Sequence, residues 1–352
     1  MTLAYGLLRG GGVCARVDGR VLDLSGLDPV FDAASLNGFM ARGPGFWSEA
    51  RQHVDEGDEV GEPDLALPFE VADYVDFYSS LAHATNLGRM FRPGSEPLLP
   101  NWRHLPVGYH GRAGTVVPSG TPVRRPRGQR RPPDAQTPSF GPSARLDIEL
   151  EAGFVIGVPS RLGEQVPIER ALDNVFGMVL VNDWSARDLQ AWEYQPLGPL
   201  LGKSFATSVS HWVVPLAELP DRRVAAERQD PEPLPYLREE PWAYDIPLEV
   251  ELNGTVIARS NTRHLYWSIA QQVAHLTANG ASLRTGDLLA SGTISGPERE
   301  SRGSLIELSW NGEAPIELPD GSTRTFLEDG DEVVLRGDPL GEVRGRIEPA
   351  GG

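Results

Sequence analysis

The sequence predicts a mainly β protein with a few helices, and three observations carry that expectation. Short runs rich in β-branched residues recur along the chain, among them Thr115-Val116-Val117, Phe154-Val155-Ile156, Val179-Leu180-Val181 and Trp212-Val213-Val214. They are punctuated by 39 glycines and 31 prolines, which break helices and favour turns. Two runs, Leu248 to Leu252 and Thr255 to Ala258, flank Asn253-Gly254, the dipeptide best suited to a two-residue hairpin.

Taken in order, residues 1 to about 70 read as a small semi-independent unit. Val13 to Val17 and Arg20 to Leu24 flank Asp18-Gly19 and predict a hairpin. A helical stretch follows from about Ser35 to Arg51, interrupted at Gly43, Pro44 and Gly45, and Asp55 to Glu59 reads as a solvated loop. Residues 71–352 form the larger unit. Within it, Arg124 to Arg131 reads as an exposed basic loop or a subunit contact, and Glu227 to Trp242 as a surface excursion. The clearest helix spans Arg263 to Ala278, where Leu265, Ile269, Val273 and Leu276 make an apolar stripe that Asn279-Gly280 ends. Leu305 to Leu308 and Asp331 to Leu335 read as strands.

Composition narrows the function. Lys and Arg number 32 against 49 Asp and Glu, a formal charge of −17, which argues against nucleic acid or an anionic membrane as partner and favours cation binding. Cys14 is the only cysteine, so no intrachain disulfide and no thiolate zinc site is expected. No apolar run reaches the roughly 20 residues of a membrane span. The first residues lack a signal-peptide pattern, and a cytoplasmic location is expected. No glycine-rich phosphate loop is present, and no organic cofactor is expected.

The chemistry concentrates around Leu146-Asp147-Ile148-Glu149-Leu150-Glu151, where carboxylates alternate strictly with aliphatic residues. That period is a strand's, so Asp147, Glu149 and Glu151 should share one face. Asp183 follows an apolar run and should end a buried strand, where a carboxylate needs a partner. If Asp76, Glu149, Glu151 and Asp183 converge, they define an all-oxygen site that selects Ca²⁺ or Mg²⁺, with Mn²⁺ left open, over zinc or copper. Spacing alone does not establish that convergence. His83 lies two helical turns from Asp76 and, oriented by Glu307, would suit a general base.

Several motifs together are specific: Asp76-Phe77-Tyr78-Ser79-Ser80, Pro100-Asn101-Trp102, His104 to Arg112, Asn182-Asp183-Trp184-Ser185-Ala186-Arg187-Asp188, Pro196-Leu197-Gly198-Pro199 and Leu288 to Glu298. With them, the chain from about Asp73 to Leu335 resembles the fumarylacetoacetate hydrolase family. The resemblance implies a small N-terminal β-barrel-like domain over residues 1–70, a mixed-β-roll catalytic domain over 71–352 and a homodimer. It implies metal-dependent hydrolysis of a C–C bond in a diketo acid, 4-fumarylacetoacetate, to fumarate and acetoacetate, the last step of tyrosine and phenylalanine degradation.

By resemblance, Asp76, Glu149, Glu151 and Asp183 are metal ligands, with Lys203 and Thr207 beside them where some members hold a second ion. His83 and Glu307 correspond to the water-activating pair, and Lys203, Gln190 and Arg187 to groups that stabilise the leaving carbanion. Tyr78, Arg92, Tyr109, Tyr194 and Thr293 correspond to substrate-binding residues. Asp147 receives no ligand role and is expected at the rim or in a salt bridge. Residues 1–70 match weakly, Arg89 and Ala206 depart at motif edges, and the chain ends soon after Arg346.

Three other readings stand beside this one. A hydrolase or decarboxylase of another acylpyruvate would keep the metal carboxylates but not this full set of motifs. A glycosidase would need its two carboxylates across a cleft, whereas Glu149 and Glu151 share a strand face. A non-catalytic Ca²⁺-stabilised β module would leave His83, Glu307 and Lys203 without purpose.

Overall fold

Leu150–Ile156 and Val175–Asp183 pair antiparallel at the centre of an eight-stranded mixed sheet, and every residue of both strands is buried. The computed structural model describes residues 2–132 and 134–351. A strand covered on both faces needs apolar side chains at successive positions, which is why residues 175 to 181 form an unbroken apolar run. The sheet order is Gly108–His110, Tyr74–Phe77, Leu288–Ala290, Leu150–Ile156, Val175–Asp183, Thr207–Val209, Val116–Pro118, with Val214–Pro215 also paired to Val175–Asp183. Tyr74–Phe77 lies parallel to Leu288–Ala290, and Val116–Pro118 parallel to Thr207–Val209.

Period-two alternation sends the two faces of this sheet into different cores. Val155, Phe176, Val179, Val181 and Leu288 pack with Tyr5, Val13, Phe39 and Val54 of the N-terminal segment. Phe154, Ile156, Met178, Leu180 and Leu289 pack with Leu248, Val250, Leu335 and Val343. The latter belong to a five-stranded sheet ordered Thr255–Asn261, Pro247–Leu252, Glu332–Gly337, Gly341–Glu348, Val123–Arg124. The N-terminal four-stranded sheet, Leu3–Leu7, Val13–Val17, Arg20–Asp23 and Asp58–Glu59, is also joined by main chain. Tyr5 and Val213 exchange both backbone hydrogen bonds, at 2.9 and 2.8 Å.

The mainly β expectation holds, and both predicted hairpins form on turns whose two central residues have positive φ: Asp18 49° and Gly19 82°, Asn253 49° and Gly254 79°. The expected helical stretch is interrupted, at Ala41 and Arg42, between Asn37–Met40 and Gly43–His53; Gly43 and Pro44 then open the second helix, because a proline in the first turn forfeits an N–H that has no helical partner anyway. The later helix is shorter than expected: Ile269–Thr277 starts at a capping box of Ser268 and Gln271. Leu305–Leu308 is a single helical turn, not a strand. The basic run is not a loop; Arg127–Arg130 forms a hairpin with Ser139–Pro142, and Arg125 is buried, its Nε donating to Asp329 at 2.6 Å. Asp58–Glu59, expected in a solvated loop, pairs with Arg20–Asp23. Cys14 is buried in the core. Among the described residues no helix is long and apolar enough to cross a membrane.

Candidate active site

Neighbouring strands of the central sheet bring the four expected carboxylates together, all buried, with one ligand atom from each lying within 4.8 Å of the others. Asp76 sits on Tyr74–Phe77 opposite Ala290, Glu151 on Leu150–Ile156 opposite Val181, and Asp183 opposite Thr207. Glu149 lies one residue before its strand, its N–H donating to Asn182 Oδ1 at 3.1 Å while its carbonyl accepts from Asp183 N–H at 3.2 Å. The expected six-residue alternating strand is thus interrupted at Ile148 and Glu149, between Leu146–Asp147 and Leu150–Ile156. All six residues are buried, so the acidic face is not an exposed edge.

Two cations stand against these carboxylates. Lys203 Nζ bonds Glu149 Oε2 and lies 2.7 Å from Asp183 Oδ2, and Arg187 Nη1 lies 2.7 Å from Glu149 Oε1. Burial alone would push Glu149 up, but Lys203 and Arg187 outweigh it and hold the carboxyl well below its usual range. Burial depresses Lys203, yet Asp183 and Glu149 reverse this and raise it. Asp183 is raised by burial despite Lys203. Asp76 and Glu151 have no cation of their own: burial first, then Asp183 for Asp76 and Asp76 for Glu151, push both far up.

A divalent cation fits this donor set. Asp76 Oδ1 and Glu151 Oε1 are buried with no hydrogen-bond partner, an expensive state that a cation would relieve. The other oxygen of Glu151 accepts from Gly292 N–H at 3.2 Å. Thr207 Oγ1 donates to Asp183 Oδ1 at 2.7 Å, and Tyr109 OH to Asp183 Oδ2 at 3.3 Å. An all-carboxylate set without His or Cys favours hard cations.

His83 and Glu307 form the second half. Ser80 caps the helix Leu81–Phe91 by accepting from His83 N–H, and the His83 ring Nδ1 lies 2.6 Å from Glu307 Oε2. Glu307 is fully buried and also accepts from Asn86 Nδ2 at 2.9 Å, Ser304 Oγ at 2.7 Å and Ser295 Oγ at 2.9 Å. Burial would raise it, but His83 first, then Asn86 and Ser304, carry it down to about 2. The Tyr78 ring meets the imidazole edge-on, with centroids 5.3 Å apart, and its hydroxyl is raised by burial and then by both Glu307 and Glu149, so it stands between the halves.

The remaining expected residues are less uniform. Gln190 Oε1 accepts from Arg187 Nη1 at 3.2 Å. Arg92 Nη2 donates to Pro97 O at 2.5 Å while its Nε, like Thr293 Oγ1, is buried without a partner. Tyr194 is 44% exposed and its hydroxyl accepts only from Gln195 among the described residues. Asp147, expected at the rim or in a salt bridge, is wholly buried and pairs with Arg187 at 2.8 Å.

Sequence reasoning missed Asn86, Ser295 and Ser304. Asn86 was within reach, because a residue three after His83 on a helix shares its face. A cavity of about 680 Å³ borders Asn86 and Ser295, and is walled by Leu81, Trp242 and Leu265, but none of the four carboxylates lines it. The cavity therefore reaches the groups that hold Glu307 without reaching the cation site.

The family model for the fumarylacetoacetate hydrolase C-terminal region matches residues 74–348. Fumarylacetoacetase of Rattus norvegicus is 50% identical over 91% of this chain and 85% of its own length. Among solved structures, a fumarylacetoacetate hydrolase from psychrophilic Exiguobacterium antarcticum covers 99% of each chain at a TM-score of 0.63 and 18% identity. A maleylpyruvate hydrolase from Sphingobium sp. SYK-6, in complex with manganese(II) ion and pyruvate, covers 99% of this chain and 100% of its own at 0.60 and 15%. At such identities the structures share the fold; the sequence match goes further, and the chain belongs to the fumarylacetoacetate hydrolase family.

Proposed function

We propose that the chain hydrolyses the C–C bond of 4-fumarylacetoacetate to fumarate and acetoacetate. The observation that carries this reading is the meeting of a carboxylate cation site, two of its oxygens unpartnered, with a buried His83–Glu307 pair. The 50% identity to a named fumarylacetoacetase supplies the substrate.

Asp76, Glu149, Glu151 and Asp183 would hold Ca²⁺ or Mg²⁺, with Mn²⁺ the third candidate given the manganese-bound relative of the same fold. Such an ion, when bound, polarises substrate oxygens and offsets developing negative charge. Glu307 is ionised and can only accept, so the His83 Nδ1 facing it carries the proton and Nε2 is left as the base. His83 then deprotonates water for attack on the carbonyl beside the scissile bond. Collapse of the tetrahedral adduct breaks the bond and leaves its electron pair on the acetoacetate carbon, which takes a proton to finish the turnover.

Lys203, Gln190 and Arg187 are assigned to that carbanion. Arg187 has Nε and Nη1 occupied and a buried, unpartnered Nη2 to offer. Arg92, Tyr78, Tyr109, Tyr194 and Thr293 are assigned to the substrate, and the unpartnered Arg92 Nε and Thr293 Oγ1 support two of these. Thr207, bonded to Asp183, would border a second ion.

Residues 1–70 are read as a small N-terminal unit and 71–352 as the catalytic body, consistent with a family match that begins at residue 74. The exposed Leu197, Leu200 and Phe140 suit a homodimer contact. The buried single cysteine suits a reducing cytoplasm.

The test is purified protein with fumarylacetoacetate, following loss of the diketone absorbance. Turnover that EDTA abolishes and Ca²⁺ or Mg²⁺ restores is expected. Metal-independent turnover would overturn the cation's role, and no turnover with any of the three ions would overturn the substrate.

A further inference from the structure

Asp147 stands where the two halves of the site meet. Its Oδ1 accepts from the backbone N–H of Ile148 at 2.8 Å and of Leu305 at 2.7 Å. Its Oδ2 accepts from Ile306 N–H at 3.1 Å and from Arg187 Nε at 2.8 Å. Leu305 and Ile306 open the helical turn that carries Glu307. The first N–H groups of a helix have no helical partner, and the residue before them normally supplies an acceptor. Ser304 occupies that position but caps nothing, because its hydroxyl donates to Glu307 Oε2. Asp147 takes over the cap from a distant part of the chain and leaves Ser304 to grip Glu307. The same carboxylate fixes the Arg187 guanidinium by one edge, so that Nη1 meets Glu149 and Nη2 is left unpartnered.

We infer that Asp147 is a positioning residue for the reaction, setting the orientation of Arg187 and the placement of Glu307 against His83 through one buried side chain. This builds on the roles given to Arg187, His83 and Glu307 in the proposed function. A purely structural ion pair would also be buried and bonded, so its test has to separate positioning from stability.

Asp147→Asn keeps the shape but sets an amide donor against either Arg187 or a helix N–H. In steady-state kinetics with fumarylacetoacetate it is expected to lower kcat roughly 10- to 100-fold while KM stays within about threefold, the usual scale for a group that orients others. Asp147→Glu, which keeps the charge, should recover part of the loss. Should Asp147→Asn fail to fold, Asp147→Glu carries the same comparison. In a Glu307→Gln background the same substitution should cost less than in the wild type, since the part of its effect that acts through Glu307 is already lost while the part through Arg187 remains.

A second readout needs neither substrate nor metal. The NMR signals of the His83 ring, assigned by their loss in His83→Ala, should shift in the Asp147 variant. An unchanged kcat in folded protein would overturn the inference, as would an equal fold-loss in both backgrounds with unmoved His83 signals. If the wild type does not turn over fumarylacetoacetate, the functional proposal falls, and the ring signals alone decide for or against Asp147.

Discussion

At the scale of single residues, Glu307 bears a double load. With four partners, including His83, it stays ionised in a fully buried position, and its pKa falls from an ordinary 4.5 to about 2. A carboxyl depressed on folding contributes stability that is fully present above its unfolded value and is lost as pH falls toward the folded one. The window is therefore from about 4.5 down to about 2, and the interval corresponds to about 3 kcal/mol. Urea unfolding across that window should show a steeper acid loss for the wild type than for Glu307→Gln, and parallel curves would remove Glu307 from the acid response. His83→Ala should lower kcat by roughly 10²- to 10⁴-fold, the usual worth of a general base, with calorimetric cation binding retained. Near-wild-type turnover would take His83 out of the mechanism. Asp76, His83 and Asp183 could be picked out because motif and local pattern coincide at each. Ser304 could not, because a serine that donates to a buried carboxylate looks, in sequence, like any loop serine, and Ser295 lies inside the motif Leu288 to Glu298, which marks the segment without naming the partner of its hydroxyl.

At the scale of elements, local period guided the type of the longer elements but not of the shortest, and it was a poor guide to extent. The alternation from Leu146 to Glu151 identified the right carboxylates, yet the strand breaks at Ile148 and Glu149, where Glu149 N–H turns to the Asn182 side chain. Long-range hydrogen bonds of that kind leave no trace in the period. Leu305 to Leu308 is apolar and β-branched enough to read as a strand, and it forms a helical turn whose first N–H groups are capped by Asp147 from far along the chain.

The turn after Leu288–Ala290 is more strictly determined. Gly292 has φ +75°, a Cβ there would lie 2.2 Å from Phe77 O, and its N–H donates to Glu151. Gly292→Ala is expected to destabilise the protein by about 2 kcal/mol or more in denaturant unfolding and to weaken cation binding with it. Loss of stability at unchanged cation affinity would detach Gly292 from the cation site.

At the scale of the whole molecule, the carboxylate cluster sets how stability responds to pH and metal. Asp76 and Glu151, ordinarily 3.8 and 4.5, are raised on folding, so the metal-free folded state holds protons that the unfolded chain has released. Stability of the EDTA-treated protein should therefore decline as pH rises above about 4, the opposite sense to Glu307. A divalent cation bound at the cluster would replace those protons and should remove the decline; thermal unfolding with and without added Ca²⁺ or Mg²⁺, at pH 5 and pH 8 (about 3 units apart), checks the sign. A cation-induced gain in melting temperature that is no larger at the higher pH would contradict it.

The N-terminal sheet gives these relations a practical edge. Its Tyr5 meets Phe39 of the helical turn Asn37–Met40 at a tilt, with centroids 4.8 Å apart, and Phe39 meets Phe176 of the central sheet at 5.4 Å. The carboxylates of Glu151 and Asp183 alternate onto the same side of that sheet as Val155 and Val181, which the N-terminal segment covers. A fragment trimmed to the family match at residue 74 would uncover Phe176, Val179 and Val181 to water on the sheet face that also carries the Glu151 and Asp183 carboxylates. Such a fragment is expected to come out of expression as insoluble material, so boundaries drawn by family resemblance alone would mislead a protein chemist choosing where to cut.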